Sequence, residues 1–332
     1  MTVRIGTRAS KLALTQTQQT ADRLAAVGGF PVELVHVRTE GDVKTGSLSQ
    51  MGGTGVFVAA LRDALLIESC DVAVHSLKDL PTGAAVGLSI AATPKRVDVR
   101  DVLCARDGLT LAELPAGAKV GTGSPRRAAQ LRAARPDIEV LDIRGNVDTR
   151  LNRVPGLPGN AVEEVVEGKS NDLDAVVLAA AGLERMGRLD TVTEFFDTSV
   201  MLPAPGQGAL AIECRTPDAP QREGSGEGGN VVLTQALAAL NDDDTRLAVT
   251  AERALLARLE AGCAAPVGAY AFRKGSMLHL EAVVCAVDGT RTVREKKATD
   301  GLTEVGATLL GIEVAEQLLA AGAAEIADLA AS

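Results

Sequence analysis

Lys119-Val-Gly-Thr-Gly-Ser-Pro-Arg-Arg127 passes from a β-branched run, through a glycine-punctuated turn, into an Ala/Leu-rich helical pattern. Pro125 suits a first helical turn, because its missing N–H would have no partner there. The segment therefore reads as a strand over 119–121 and a helix over 125–134. Outward from it, the same alternation fills the first two-thirds of the chain, which is the signature of parallel α/β architecture. Strands are expected at 3–6, 32–37, 71–75, 102–105, 138–143 and 174–179. Helices are expected at 12–27, with Ser10 as its cap, and at 56–67. No fixed-period repeat is present; the two sets of elements are alike only in their order.

Thr93-Pro-Lys-Arg96 and Leu202-Pro-Ala-Pro-Gly-Gln-Gly208 read as an outward and a return crossing between the sets. Residues 216–230 are turn-rich and polar, a loop by composition. Beyond them Asn241 is placed to cap a helix whose first turn holds Asp242, Asp243 and Asp244 and which ends at Gly262. Strands near 270–273 and 278–287 and a helix over 304–321 complete a small α+β unit. The expected domains are 1–95 with 209–238, then 98–203, then 241–332.

The 332 residues suit two or three domains, and 46% hydrophobic with 23% charged residues is a globular composition. Five Phe, one Tyr and no Trp leave few faces for base stacking, and a net charge of −9 opposes a phosphate backbone, so nucleic acid is not an expected partner. Five scattered cysteines, with no C-x-x-C pair, fit a reducing compartment and no metal site. Without a secretory pattern at the amino terminus or a long apolar run, the expectation is a cytoplasmic protein with no membrane partner.

In open α/β sheets ligands bind beyond the carboxyl ends of strands. Those positions here are polar and basic: Arg8 and Ser10; Lys78 and Asp79; Thr122, Ser124, Arg126 and Arg127; Arg144, Asn146 and Arg150; Gly182 and Arg185. Between residues 115 and 155 eight Lys and Arg face four Asp and Glu, against the sign of the whole chain. The 122–127 turn would offer an anion free backbone N–H groups, two hydroxyls and two guanidinium forks. It also fits a capped helix with a solvated basic turn, and it lacks the third glycine of a dinucleotide fingerprint. Lys78 and Asp79 fit either an exposed salt bridge or a carboxylate kept ionised to stabilise substrate cation. Cys263 lies past a helix carboxyl end, where the dipole does not activate a thiol, and reads as a small buried hydrophobe.

Taken together, Arg4-Ile-Gly-Thr-Arg-Ala-Ser10, Ala73-Val-His-Ser-Leu-Lys-Asp-Leu-Pro81, Val120-Gly-Thr-Gly-Ser-Pro-Arg-Arg127, Arg144-Gly-Asn-Val-Asp-Thr-Arg150, Leu202-Pro-Ala-Pro-Gly-Gln-Gly-Ala209 and Ala251-Glu-Arg-Ala-Leu255 with Glu260-Ala-Gly-Cys263 resemble the porphobilinogen deaminases, or hydroxymethylbilane synthases. The resemblance implies two similar doubly wound α/β domains, like those of periplasmic binding proteins, plus a small α+β domain. It implies a monomeric transferase of porphyrin biosynthesis that joins four porphobilinogen molecules into a linear tetrapyrrole. Cys263 would anchor a dipyrromethane cofactor by a thioether, and Asp79 would be the catalytic carboxylate.

Lys78, Asp79, Thr122, Ser124, Arg126, Arg127, Arg144, Gly145 and Asn146 would hold the cofactor. Arg8, Ser10, Phe57, Arg144, Arg150, Gly182 and Arg185 would meet the substrate; Phe57 fits a core position on its helix equally well. The sequence departs from the family pattern at Glu40, Gln50, Thr54 and Gly123, which removes positive charge or a hydroxyl. The alternative from another class is a non-catalytic small-anion-binding protein of solute-binding-protein architecture, against which Asp79 and Cys263 weigh.

Overall fold

The computed structural model describes residues 1–37, 55–160, 171–220, 230–261, 265–327 and 329. In chain order the first elements are β1 (Val3–Thr7), α1 (Lys11–Gly28), β2 (Val32–His36), α2 (Gly55–Leu66), β3 (Val72–Ser76) and β4 (Leu88–Ala92). Next come β5 (Asp101–Ala105), β6 (Lys119–Gly121), α3 (Pro125–Ala134), β7 (Glu139–Leu141), α4 (Val147–Leu151), β8 (Ala175–Ala179), α5 (Ala180–Met186) and β9 (Glu194–Phe195). The chain returns through β10 (Leu210–Arg215), α6 (Val231–Leu240) and α7 (Asp243–Arg258), then closes with β11 (Val267–Lys274), β12 (Met277–Cys285), β13 (Thr292–Thr299) and α8 (Glu304–Ala320). The described chain divides into two compact units, 1–97 with 209–250 and 98–208 with 251–332.

The first unit is a five-stranded sheet in the order β2-β1-β3-β10-β4. Side chains alternate across a strand. Val72 and Val74 of β3 thus pack with Ile212 and Cys214 of β10 beneath α1 and α6. Ala73 lies on the opposite face with Leu61, Ala64 and Leu65 of α2. Helices on both faces make the unit doubly wound.

The second unit repeats the arrangement as β7-β6-β8-β5-β9. Leu103, Val120 and Val177 pack against Leu131 of α3 on one face, and Val102, Val176 and Leu178 against Leu151 of α4 and Leu183 of α5 on the other. The α/β class is as expected, yet the sheets are mixed rather than parallel. Each holds one reversed strand, β10 against β3 and β4, and β5 against β8 and β9. Both reversed strands are the first to follow a crossing, so the chain enters the sheet from its other end. The similarity between the two sets thus extends from element order to strand order.

β11, β12 and β13 form an antiparallel sheet covered by α8. A Cβ at Gly311 of α8 would stand 2.3 Å from the Ala251 carbonyl oxygen, so glycine there permits the close approach of α8 to α7. The cap of α7 differs from expectation. Asp242, not Asn241, accepts the Thr245 N–H at 2.8 Å. Asn241 Oδ1 instead accepts from the backbone N–H and hydroxyl of Thr93 in the first crossing. The helix ends at Arg258, and Gly262 lies outside the described residues.

Candidate active site

In the first unit β1 and β3 run parallel, so their carboxyl ends emerge at one edge of the sheet. Arg8 and Ser10 follow β1, and Lys78 and Asp79 follow β3, so the edge gathers all four. Ser10 caps α1 by accepting the Ala13 N–H at 3.3 Å. Leu77–Asp79 forms a single 3-10 turn that leaves Lys78 and Asp79 half-buried. Below them Ser76 exchanges hydrogen bonds of 3.2 Å with Gln16 of α1. His75 points into the interior beside Glu213. The backbone of Phe57 lies in the first turn of α2. Glu40, Gln50, Thr54 and Cys263 and the Phe57 side chain lie outside the described residues.

In the second unit β6 pairs parallel with both β7 and β8, so the segments after these three strands also share an edge. That edge brings together Thr122, Ser124, Arg126 and Arg127 after β6, the 144–150 segment after β7, and Gly182 and Arg185 after β8. Ser124 caps α3 and Pro125 takes its first position. Asn146 caps α4, accepting from the Thr149 N–H at 2.8 Å and from its hydroxyl at 2.9 Å. Gly145 has φ of 106°, and a Cβ there would meet Thr149 at 2.7 Å. Gly182 sits in the first turn of α5 with open space where a side chain would be.

The arginines divide into two layers. Arg126 and Arg127 are 4% and 6% exposed and both bind the fully buried Asp101. Burial alone would raise the Asp101 carboxyl, but the charges of Arg126 and Arg127, with hydrogen bonds from Arg126 and Gln207, hold it far below the usual carboxylate range. Arg144 is exposed, with its guanidinium 3.1 Å from Asp142. Arg150 is half-buried and donates from Nε to the Gly145 carbonyl at 2.9 Å. Burial, then repulsion from Arg127 and Arg144, lowers its guanidinium to about 10. Arg185 donates to the Gly208 carbonyl at 3.0 Å, and burial lowers it to about 10 as well. Such an edge favours an anion, because each added negative charge relieves repulsion already present.

Asp101 was not among the residues singled out from the sequence. The signal was an acid opening a strand, Asp-Val-Leu-Cys-Ala, whose other members are all apolar, since a buried carboxylate needs a paired cation. The motif around Leu202 also gains a concrete role. Leu202 exchanges hydrogen bonds with Gln130, Gly206 donates to Glu252 at 2.6 Å, and Gln207 donates to Asp101 at 2.8 Å.

Residues 3–223 match the family model described as "Porphobilinogen deaminase, dipyromethane cofactor binding domain", and residues 246–320 match "Porphobilinogen deaminase, C-terminal domain". A protein named porphobilinogen deaminase from Cutibacterium acnes is 55% identical over 341 residues, spanning 99% of this chain and 98% of that protein. One of the same name from Leifsonia xyli subsp. xyli is 53% identical over 333 residues, spanning 98% and 94%. Among solved structures, the methionine binding protein MetQ aligns with a TM-score of 0.40 and 12% identity, over 72% of this chain and 89% of that one.

Proposed function

The chain belongs to the porphobilinogen deaminase family, and from that premise we propose how its residues carry the reaction. The enzyme is a transferase of tetrapyrrole biosynthesis that joins four porphobilinogen molecules head to tail into hydroxymethylbilane and releases ammonia at each addition. Its cofactor is dipyrromethane, which would supply the pyrrole carbon nucleophile for the first addition, the end of the growing chain taking that part for the later ones. The family assignment leaves no support for a non-catalytic anion-binding protein.

The donor set fits such a ligand. Acetate and propionate groups need cations and hydrogen-bond donors, and the edge of the second unit supplies both. Arg126 keeps a buried Nε without a hydrogen-bond partner. Arg150 carries a charge that its surroundings disfavour until an anion arrives. We assign Thr122, Ser124, Arg126, Arg127, Arg144, Gly145 and Asn146 with Lys78 to the cofactor's carboxylates, and Cys263 to its thioether. Arg8, Ser10, Phe57, Arg144, Arg150, Gly182 and Arg185 are assigned to substrate, Arg144 thus serving both.

Asp79 is the catalytic carboxylate of this proposal. Its half-buried place in the turn after β3 supports the role. When the protonated aminomethyl group of porphobilinogen leaves as ammonia, its positive charge passes to the ring, which becomes a cationic azafulvene. A fixed carboxylate at the pyrrole N–H stabilises charge on the ring more than charge on the departing ammonium, which lowers the barrier.

Three domains, 1–95 with 209–238, 98–203 and 241–332, remain our division, the last built on the separate sheet of β11 to β13. We also assign the enzyme to the cytoplasm as a monomer that binds no nucleic acid. Four free cysteines buried among the described residues and the net charge of −9 support this, and no helix among those residues is long and apolar enough to cross a membrane.

The observation that carries the proposal is the shared strand-end edge at which Arg126, Arg127, Arg144, Arg150 and Arg185 gather in one unit. Intact mass tests it. Purified protein should exceed its sequence mass by one dipyrromethane and colour with Ehrlich's reagent, and Cys263→Ala should abolish both signals. An unmodified Cys263 in active protein would sink the mechanism.

A further inference from the structure

All five residues of β5 are buried, and Asp101 opens it with no measurable exposure. Its Oδ2 accepts from Arg126 Nη1 at 2.7 Å. Its Oδ1 accepts from Arg127 Nε at 2.9 Å and from Gln207 Nε2 at 2.8 Å, with Arg127 Nη2 also 2.8 Å away. The three donors are anchored in turn. Arg126 Nη1 also donates to the Leu202 carbonyl at 2.6 Å, Arg127 Nη1 to the Val177 carbonyl at 3.1 Å, and Gln207 Nε2 to the Val99 carbonyl at 2.8 Å.

Stability does not account for this cluster, because well-packed apolar residues of similar volume often replace a buried ion group without loss. Its charge is unbalanced as well: two guanidinium groups share one carboxylate. Were both cations unneutralised they would repel each other and add to the repulsion that Arg127 already exerts on Arg150. Were both neutralised, nothing would remain for a ligand.

We infer that Asp101 is a positioning residue for the reaction: it fixes the guanidinium groups of Arg126 and Arg127 at the start of α3 and leaves one uncompensated positive charge there for a ligand carboxylate. Gln207 keeps the Asp101 carboxylate from turning away. A preorganised cation binds a carboxylate without the reorientation that a free arginine would need. The inference rests on the reading of Arg126 and Arg127 as carboxylate-holding residues.

Asp101→Asn, Gln207→Met and Arg127→Gln test it, each read by intact mass, by urea unfolding and by KM and kcat separately. In folded Asp101→Asn, the fraction bearing the dipyrromethane mass should fall, and the loaded fraction should show KM raised about tenfold, the size of one charge-assisted hydrogen bond, with kcat nearly unchanged. Gln207→Met keeps every charge and should raise KM in the same sense by about threefold, so it decides the matter if Asp101→Asn does not fold. Parental mass and KM in the folded variants, with both lost in Arg127→Gln, would overturn the role of Asp101 while keeping that of the arginines. If Arg127→Gln also keeps both, the carboxylate-holding reading falls and Asp101 is a scaffold residue only.

Discussion

His75 Nε2 stands 3.1 Å from Glu213 Oε2, with the two side chains 4% and 2% exposed. The antiparallel register of β3 and β10 sets Ala211 opposite His75 and Glu213 opposite Ala73, so the pair meets diagonally on one face of the sheet. Arg62 of α2 closes on the same carboxylate at 2.9 Å. The cluster joins α2, β3 and β10 directly beneath the turn that presents Asp79.

Glu213→Gln is therefore expected to destabilise the protein by about 3 kcal/mol, because it leaves the largely covered Arg62 guanidinium without the carboxylate it meets. A loss under about 0.5 kcal/mol in urea unfolding would place the cluster among ordinary surface pairs. Burial alone would raise the Glu213 carboxyl, but hydrogen bonds from His75 and Arg62 bring it below its ordinary value. Its folded value lies under the unfolded one, so the stabilisation is complete above about pH 4.3 and is lost as pH falls through the folded value. Asp101 contributes with the same sign above about pH 3.9. The stability gap between parent and Glu213→Gln should narrow below that range.

Arg150→Gln should move stability and binding in opposite directions. The folded guanidinium titrates near 10, below its ordinary 12.5, so between those values the unfolded chain holds more protons and stability rises with pH. Below about pH 10 the cost of keeping Arg150 charged is present in full. Removing the charge should raise the Tm of cofactor-free protein by about 2–4 °C, corresponding to about 1 kcal/mol, while KM for porphobilinogen rises about tenfold. Cofactor-free protein is available through the Cys263→Ala background. A lower Tm with unchanged KM would make Arg150 a scaffold residue.

Asp79→Asn should keep the dipyrromethane mass and lose about 10²- to 10³-fold in kcat, since the amide retains shape and hydrogen bonding but not the charge that opposes the azafulvene cation. Turnover within about twofold of the parent would refute the assignment.

The sequence carried the α/β class because residues 102–105 of β5 and all of β8 are continuous apolar runs while α1 and α3 have capped, periodic patterns. Strand direction was not legible. Nothing local to Leu210–Arg215 distinguishes a reversed strand from a parallel one, and the direction follows from where the crossing enters. α6 was missed because its ten residues, VVLTQALAAL, lack the polar face that marks a surface helix, and it follows a loop-like polar stretch. The strand-end arginines were legible as a group because of their place after strands. Their two layers were not, because Asp101, Gln207 and Arg126 are remote in sequence and meet only in the folded unit.

Gly123 shows how a departure from the family pattern can be built into the backbone. A Cβ at this position would lie 2.5 Å from the Ile143 carbonyl oxygen, and a backbone atom gives way far less readily than a side chain. The turn after β6 thus closes against the segment after β7 more tightly than a serine allows. Gly123→Ser should cost about 1–3 kcal/mol, as overpacking does, and Gly123→Ala should cost the same if the Cβ rather than the hydroxyl is responsible. Because Arg144 directly follows Ile143, the displaced carbonyl should also weaken substrate binding, which KM would report independently of stability. A serine variant as stable as the parent, with KM unchanged, would show that the turn opens freely and that glycine is incidental there.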